Sequence, residues 1–456
     1  MTDGLRSIPS VDQLLSDSFI AELIPQYGRS LVVKAVRSSL QHIRQASIEG
    51  TLVGGSIKEI RSSVENWLIS QIQVSIQPVI NASGVIIHTN LGRAPLSEEA
   101  IQAILSIAGD YSNLEYDLAK GKRGKRADAI EQKLIALTGA EDAFVVNNNA
   151  SAVLLVLAAL ARRKRVVISR TQLIEIGGGF RIPEVLQQSG AKLYEIGSTN
   201  RVHLQDYADA LQNVNAVILR AHHSNFKIIG FTKEPSLKEL VELAAKEDHL
   251  VIDDLGSGAI LDTSMFNVAH EPTVQESIQA GADVVCFSGD KLFGGPQAGM
   301  IVGKREVIKK IKKHPFARAV RADKLCLAAL EATISHYLKD EALQKIPIWR
   351  MLSMPVECCE QRVVDWKKVL KCGEMVDGLS TIGGGSMPQE TLPTKLFALS
   401  VSRVNVFMKA LRSLKVPIVA RVIQDQIVFD PRTVLPAQER VFLTEMETLI
   451  KKFDIR

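Results

Sequence analysis

The sequence predicts an α/β protein: a large domain on a mainly parallel sheet, a smaller C-terminal α/β domain, and a helical module ahead of both. Three observations point there. Short apolar runs at 144–146, 166–168, 193–196, 217–219, 250–252 and 284–287 alternate with helical stretches, as parallel strands joined by right-handed crossovers do. Ahead of residue 73, apolar residues recur at helical spacing. Beyond residue 335, Pro347 and Pro355 punctuate the chain, and helices and short strands follow. The expected domains are 1–72, 73–335 and 336–456.

Composition agrees with that architecture. At 456 residues the chain exceeds one ordinary core. With 46% hydrophobic and 23% charged residues it belongs among globular proteins. A net charge of +5 permits a nucleic-acid partner without requiring one. The five cysteines show neither C-x-x-C nor zinc spacing, so reduced cysteines and no metal are expected. Neither a signal peptide at 1–6 nor a membrane-spanning run is visible, and the expected location is the cytoplasm.

In the first module, Val33, Val36, Leu40 and Ile43 form an apolar stripe, with Lys34, Arg37, Gln41 and Arg44 beside it. Residues 1–70 hold seven Lys/Arg against seven Asp/Glu, so any RNA contact must come from that stripe rather than from bulk charge. A turn is expected at 51–56, around Gly54-Gly55. The next segment, 79–95, reads as an extended lead into the large domain, and Ser97 followed by Glu98 and Glu99 opens a helix. Arg93, in the intervening loop, is either an ion-pair residue or an anion site facing the active centre. Residues 120–126 carry five positive charges interrupted by glycine: a solvated loop, or a contact for nucleic-acid phosphates.

The strand ends carry the chemistry. After 144–146 comes Asn147-Asn148-Asn149-Ala150-Ser151 and then a helix over 152–160. Small polar residues feeding a helix N-terminus make a phosphate cup, because free amides and the helix dipole face the anion. The glycine-rich loop at 175–183 is not placed as a dinucleotide fingerprint, and no P-loop pattern occurs. One strand ends at Ala221-His222-His223 and another at Asp253-Asp254-Leu255-Gly256-Ser257-Gly258. An aspartate past a buried strand is often a helix cap; beside a pyridine nitrogen it would keep that nitrogen protonated. The run 284–287 leads into Ser288-Gly289-Asp290-Lys291, with Gly294-Gly295-Pro296 beyond. A partly desolvated lysine there would lose its proton readily and form an imine with an aldehyde, the chemistry of pyridoxal phosphate (PLP). Arg318 and Arg321, three apart, should share a helix face. A long helix is expected over 323–338 and another over 359–370. A Gly383-Gly384-Gly385-Ser386 loop, strands at 418–422 and 426–429, and a last helix from 437 complete the chain.

A phosphate cup, a later aspartate and a still later lysine, in that order, resemble the aspartate-aminotransferase-like class of PLP enzymes. Within it, His88-Thr89-Asn90-Leu91-Gly92-Arg93-Ala94, Asn147-Asn148-Asn149-Ala150, Glu175-Ile176-Gly177-Gly178, Phe180-Arg181-Ile182-Pro183, Asp254-Leu255-Gly256-Ser257-Gly258 and Ser288-Gly289-Asp290-Lys291-Leu292 resemble the bacterial selenocysteine synthases, along nearly the whole chain. The closing Phe429-Asp430-Pro431-Arg432 stretch belongs to the same likeness. It implies conversion of seryl-tRNA(Sec) to selenocysteinyl-tRNA(Sec), with selenophosphate as donor and PLP as cofactor. Lys291 would hold PLP, in a segment with Asp290. Asp254 would pair the pyridine nitrogen, with Asp253 as runner-up. Asn148, Asn149 and Ser288 would hold the phosphate, with Gly177 also against the cofactor and His222 near the ring. Arg93, Arg318 and Arg321 match the family's anion-binding arginines, and Lys34, Arg37 and Arg44 would meet tRNA. The likeness also implies a homo-oligomeric ring, a decamer of five dimers.

The chain departs from that pattern at Thr171-Gln172, where the family shows Gly-Glu, at Gly179 and at Ser198. These affect loop geometry and remove no reacting group. Two other functions compete. A paralogue acting on a small amino acid or amino sugar phosphate would keep Lys291 but need no residues 1–72. A tRNA-binding protein without catalysis would not need Lys291 and Asp254.

Overall fold

The computed structural model describes residues 8–49, 56–176, 179–223 and 225–455; the turn expected at 51–56 and the cofactor contact expected at Gly177 lie outside these, Ser56 excepted. The chain divides into two compact units, 1–78 and 79–456.

In the first unit, helices span Val11–Leu15, Ser18–Tyr27, Arg29–Ile48 and Ile57–Ile72. Ser10 and Ser56 each start a helix with a reciprocal capping box. Leu23, Val32, Val36, Leu40, Val64 and Leu68 form part of the unit's core. Helix Arg29–Ile48 therefore buries Val36, Leu40 and Ile43 and half-buries Val33. Lys34, Arg37, Gln41 and Arg44 stay exposed, in the two stripes the spacing predicts.

The second unit is built on a seven-stranded sheet. Its strands are β1 (Asp142–Val146), β2 (Arg165–Ser169), β3 (Lys192–Ile196), β4 (Ala216–Ala221), β5 (Leu250–Gly256), β6 (Val284–Ser288) and β7 (Gly299–Gly303). Their order across the sheet is β1-β7-β6-β5-β4-β2-β3. Every pair is parallel except those made by β7. The reason is local. After β6 the chain turns through Gly294 and Gly295 and comes straight back, with no crossover helix between. Gly299 begins the return strand directly over Asn148 O, where a side chain would have no room. Alternation along the buried strands feeds two cores: Val284, Cys286 and Ile301 face one, and Val285, Phe287 and Met300 the other.

A four-stranded antiparallel sheet forms the C-terminal part, in the order Glu374–Thr381, Thr391–Ser400, Gln426–Phe429, Arg421–Ile423. Helices Val356–Leu370 and Glu439–Lys452 pack on it through Trp366 and Phe442, whose ring centroids are 4.4 Å apart. One finding departs from expectation. Residues 80–82 do not lead into the large sheet. Ile80–Asn81 pairs in parallel with Ile418–Val419, and Ile80 and Ala82 belong to the C-terminal core. A second departure is at Arg321. The helix at Arg318 spans only Phe316–Ala319, and Arg321 forms an isolated antiparallel bridge with Val146, so the two arginines share no helix face. The basic run at 120–126 is solvated, as expected, but belongs to a hairpin: Lys122–Arg123 pairs with Tyr116–Asp117, and Arg123 and Arg126 both bridge Glu115. Among the described residues no helix is long and apolar enough to cross a membrane.

Candidate active site

Because β1, β4, β5 and β6 run parallel, the residues just beyond them collect on one edge of the sheet, the usual ligand edge of an open α/β sheet. A cavity of about 390 Å3 opens there, lined by Asn148, Asn149, Asp254, Ser288 and Lys291, with Arg93 and Asp290 at its side.

Lys291 is 5% exposed. Burial pulls its proton affinity below the ordinary lysine range, opposed by the charge of Asp254. An amine so placed is more readily neutral, the form that attacks an aldehyde. Asp254 is also buried, and burial raises its carboxyl to about 6; the hydrogen bond that Asn149 Nδ2 donates to its Oδ1 at 2.9 Å acts in the opposite sense. The structure separates Asp254 from Asp253. Strand alternation turns Asp253 to the other face, where Arg220 Nη1 and Ser277 Oγ donate to its two oxygens at 2.9 and 2.7 Å.

The cup is built as the sequence suggests, with its amides spent differently. Asn148 Oδ1 caps the helix Asn149–Leu160 by accepting from Ser151 N at 2.8 Å. Asn149 serves Asp254. What faces the cavity as an anion site is therefore the helix N-terminus itself, around Asn149 and Ala150, with Ser288 nearby.

Arg93 takes φ 63°, uncommon for a residue with a Cβ, directly after Gly92. That turn brings its Nη1 to 2.7 Å from Asp290 Oδ2. Arg93 is thus ion-paired and also lines the cavity. Arg318 and Arg321 do not join it. They line a separate cavity of about 940 Å3, where Arg321 Nη1 lies 3.4 Å from Glu115 Oε1. A single chain does not gather the three arginines. His222 follows β4, and its backbone N–H donates to Asp254 O at 3.0 Å, so it borders the site without lining the Lys291 cavity.

Sequence reasoning missed one wall. The Gly383-Gly384-Gly385 loop, all three residues at positive φ, reaches the lysine from the C-terminal part. A Cβ on Gly385 would stand 3.1 Å from Lys291 Nζ. The triple glycine was the one signal on offer; nothing local says what it approaches. Four buried polar atoms lack a hydrogen-bond partner in this neighbourhood of the chain: His88 Nδ1, Asn149 Oδ1, Ser257 Oγ and Ser386 Oγ. Buried polar groups left open in this way are free to pair with ordered water or with a bound polar group. A buried lysine flanked by glycines, a buried carboxylate and an amide-rich helix N-terminus fit PLP in donor set.

The fold is that of the aspartate-aminotransferase-like class of PLP enzymes. A solved structure titled D-glucosaminate-6-phosphate ammonia-lyase shares the fold at TM-score 0.57 and 17% identity, covering 85% of this chain and 99% of that one. A family model described as L-seryl-tRNA selenium transferase matches residues 79–435, and one described as selenocysteine synthase N terminal matches residues 5–44. Proteins named L-seryl-tRNA(Sec) selenium transferase are similar end to end. That of Clostridium perfringens is 44% identical over 98% of this chain and 99% of its own, and that of Alkaliphilus metalliredigens 43% over 98% of each. The chain belongs to the L-seryl-tRNA selenium transferase family.

Proposed function

We propose that this protein converts L-seryl-tRNA(Sec) to L-selenocysteinyl-tRNA(Sec) in selenoprotein synthesis, eliminating the seryl hydroxyl and adding selenium from selenophosphate. The observation that carries the reading is the buried Lys291, with its lowered proton affinity, on one sheet edge with Asp254 and the N-terminus of a helix.

Lys291 would hold PLP, the amides around Asn149 and Ala150 with Ser288 would take its phosphate, and Asp254 would pair its ring nitrogen. When bound, that group supplies an electron sink for negative charge developing at the substrate Cα. Asn149 keeps Asp254 oriented and favours its charged form. Lys291 Nζ, more readily neutral than a surface amine, would accept the α-proton. Gly385 leaves the space above Nζ open to an incoming amine. Arg93 holds Asp290 in place and presents its remaining guanidinium donors to an anion, as suits a phosphate-like donor. Arg318 and Arg321 would complete that anion site from a neighbouring copy, consistent with a homo-oligomeric ring of ten chains. The exposed stripe of Lys34, Arg37 and Arg44 would grip tRNA, and the protein would act in the cytoplasm.

The test is incubation with seryl-tRNA(Sec) and selenophosphate, with seryl-tRNA(Ser) as control and Lys291→Ala alongside. Selenocysteinyl-tRNA formed by the unaltered protein alone, and from tRNA(Sec) alone, is expected. Product from Lys291→Ala, or none from the unaltered protein, refutes the reading.

A further inference from the structure

On the proposed reaction, the seryl group arrives as an ester of the 3′-terminal ribose of a tRNA. When its amine reaches Lys291, only a carboxyl carbon and an ester oxygen separate the reacting Cα from that ribose. The terminal nucleoside therefore needs room directly beside the Lys291 cavity. A second cavity, of about 290 Å3, is linked to it through residues of its own lining. His222 lines this space and is tied through its backbone to Asp254 O at 3.0 Å. Met387 lines it as well, two residues beyond the Gly385 that faces Lys291 Nζ. We propose that this second cavity receives the uncharged 3′-terminal nucleoside of the aminoacyl-tRNA.

The lining suits a flat, neutral, hydrogen-bonding guest. One part offers the rings of His223 and Phe226, edge to face with centroids 5.0 Å apart; Ile228, Met387 and Pro388 add apolar surface. Bases stack on such surfaces whatever their identity. The charges rule against a phosphate: Lys227 and Lys233 are offset by Glu234, Glu271 and Glu390, and Lys227 already lies 3.5 Å from Glu390. One acceptor is open. Glu271 Oε1 is buried and stands 3.2 Å from His222 Nε2, but off the line of a hydrogen bond, so no donor satisfies it. A buried carboxylate oxygen wants an O–H or N–H. A ribose hydroxyl or the exocyclic amine of a base supplies one. The same loop continues outward to Phe231, 87% exposed and followed closely by Lys233. Interleaved aromatic and basic residues of this kind hold single-stranded nucleic acid, and the tRNA 3′ end leading to the cavity is single-stranded.

The test uses the full-length, PLP-loaded protein and two non-hydrolysable probes, L-serinamide and 3′-(L-serylamino)-3′-deoxyadenosine. Binding is measured by calorimetry and by the cofactor absorbance. The nucleoside probe should bind about tenfold more tightly, or better, given what one stacked base contributes. Phe226→Ala and Met387→Ala should each cut that ratio several-fold, and Phe226→Tyr should preserve it. Equal affinity for the two probes, or a ratio that survives both truncations, overturns the inference. If both probes perturb the cofactor band but the nucleoside adds nothing, the inference fails while the reading of the reaction stands. If neither probe, nor seryl-tRNA itself, perturbs the band, the reading of the reaction fails and takes the inference with it.

Discussion

Replacing Asn149 by alanine should move the acid limb of the pH–rate profile upward. In the structure Asn149 Nδ2 donates to Asp254 Oδ1 at 2.9 Å and opposes the burial that raises this carboxyl to about 6. A hydrogen bond to a charged group contributes roughly 1.5–3 kcal/mol. At about 1.4 kcal/mol per pKa unit, its loss should lift Asp254 by about one to two units. The sign follows from the donor: a carboxylate that loses an N–H is easier to protonate. At pH 7 the charged fraction would then fall from about nine-tenths to between about a half and a tenth, by the ordinary titration relation. The assay is single-turnover elimination from seryl-tRNA(Sec) between pH 5.5 and 9, a range chosen around that "about 6". The variant should be about two- to tenfold slow at pH 7 and recover toward pH 9. Bound cofactor shifts the absolute position of both limbs, so the difference between the proteins is what counts. A uniform loss at every pH, or a limb that does not move, would show that Asn149 does not act through Asp254.

Three more variants probe the rest of the site and the first unit. Gly385→Ala puts a Cβ 3.1 Å from Lys291 Nζ at a φ of +80°, a backbone strain of about 1–3 kcal/mol; cofactor affinity should drop and the melting temperature fall, and an unchanged binding isotherm would sink the view of this loop as a wall of the site. The double change Arg318→Ala with Arg321→Ala should spare serine elimination and block selenium transfer, so that dehydroalanyl-tRNA accumulates; equal slowing of both steps in product analysis would mark the two arginines as structural. Deleting residues 1–78 should leave the cofactor spectrum intact and weaken tRNA binding, since that unit has its own core; undiminished affinity for seryl-tRNA(Sec) in a filter-binding or mobility-shift assay would remove the tRNA role from Lys34, Arg37 and Arg44.

The sheet and the order of its site residues were legible because each signal is local. An apolar run such as Val284-Val285-Cys286-Phe287 reads as a buried strand by itself, and parallel strands gather the residues beyond their carboxyl ends on one edge. The choice between Asp253 and Asp254 was open in the sequence, since both close the same strand. It becomes visible once alternation sends one carboxylate to Arg220 and the other to Asn149. Contacts between distant segments stayed hidden. Gly385 reaches Lys291 across the fold, and Ile80 pairs with Ile418; no periodicity encodes either. Arg321 was misjudged because a spacing of three implies a shared face only inside a helix, and this helix stops at Ala319.

The pairing of Ile80–Asn81 with Ile418–Val419 also sets a timetable for the newborn chain. A ribosome makes about 5–20 residues per second, so the early strand waits on the order of tens of seconds for its partner to be synthesised. Through that interval Ile80 and Ala82, wholly buried in the finished protein, have no core to enter. Gly84 waits equally for Thr433, whose hydroxyl accepts its N–H at 3.1 Å. Lys291 is translated ahead of the glycine loop that borders it, so that side of the pocket forms only after Gly385 has been made. Chains truncated before residue 418 should therefore be held by chaperones or degraded rather than released as a partly active enzyme.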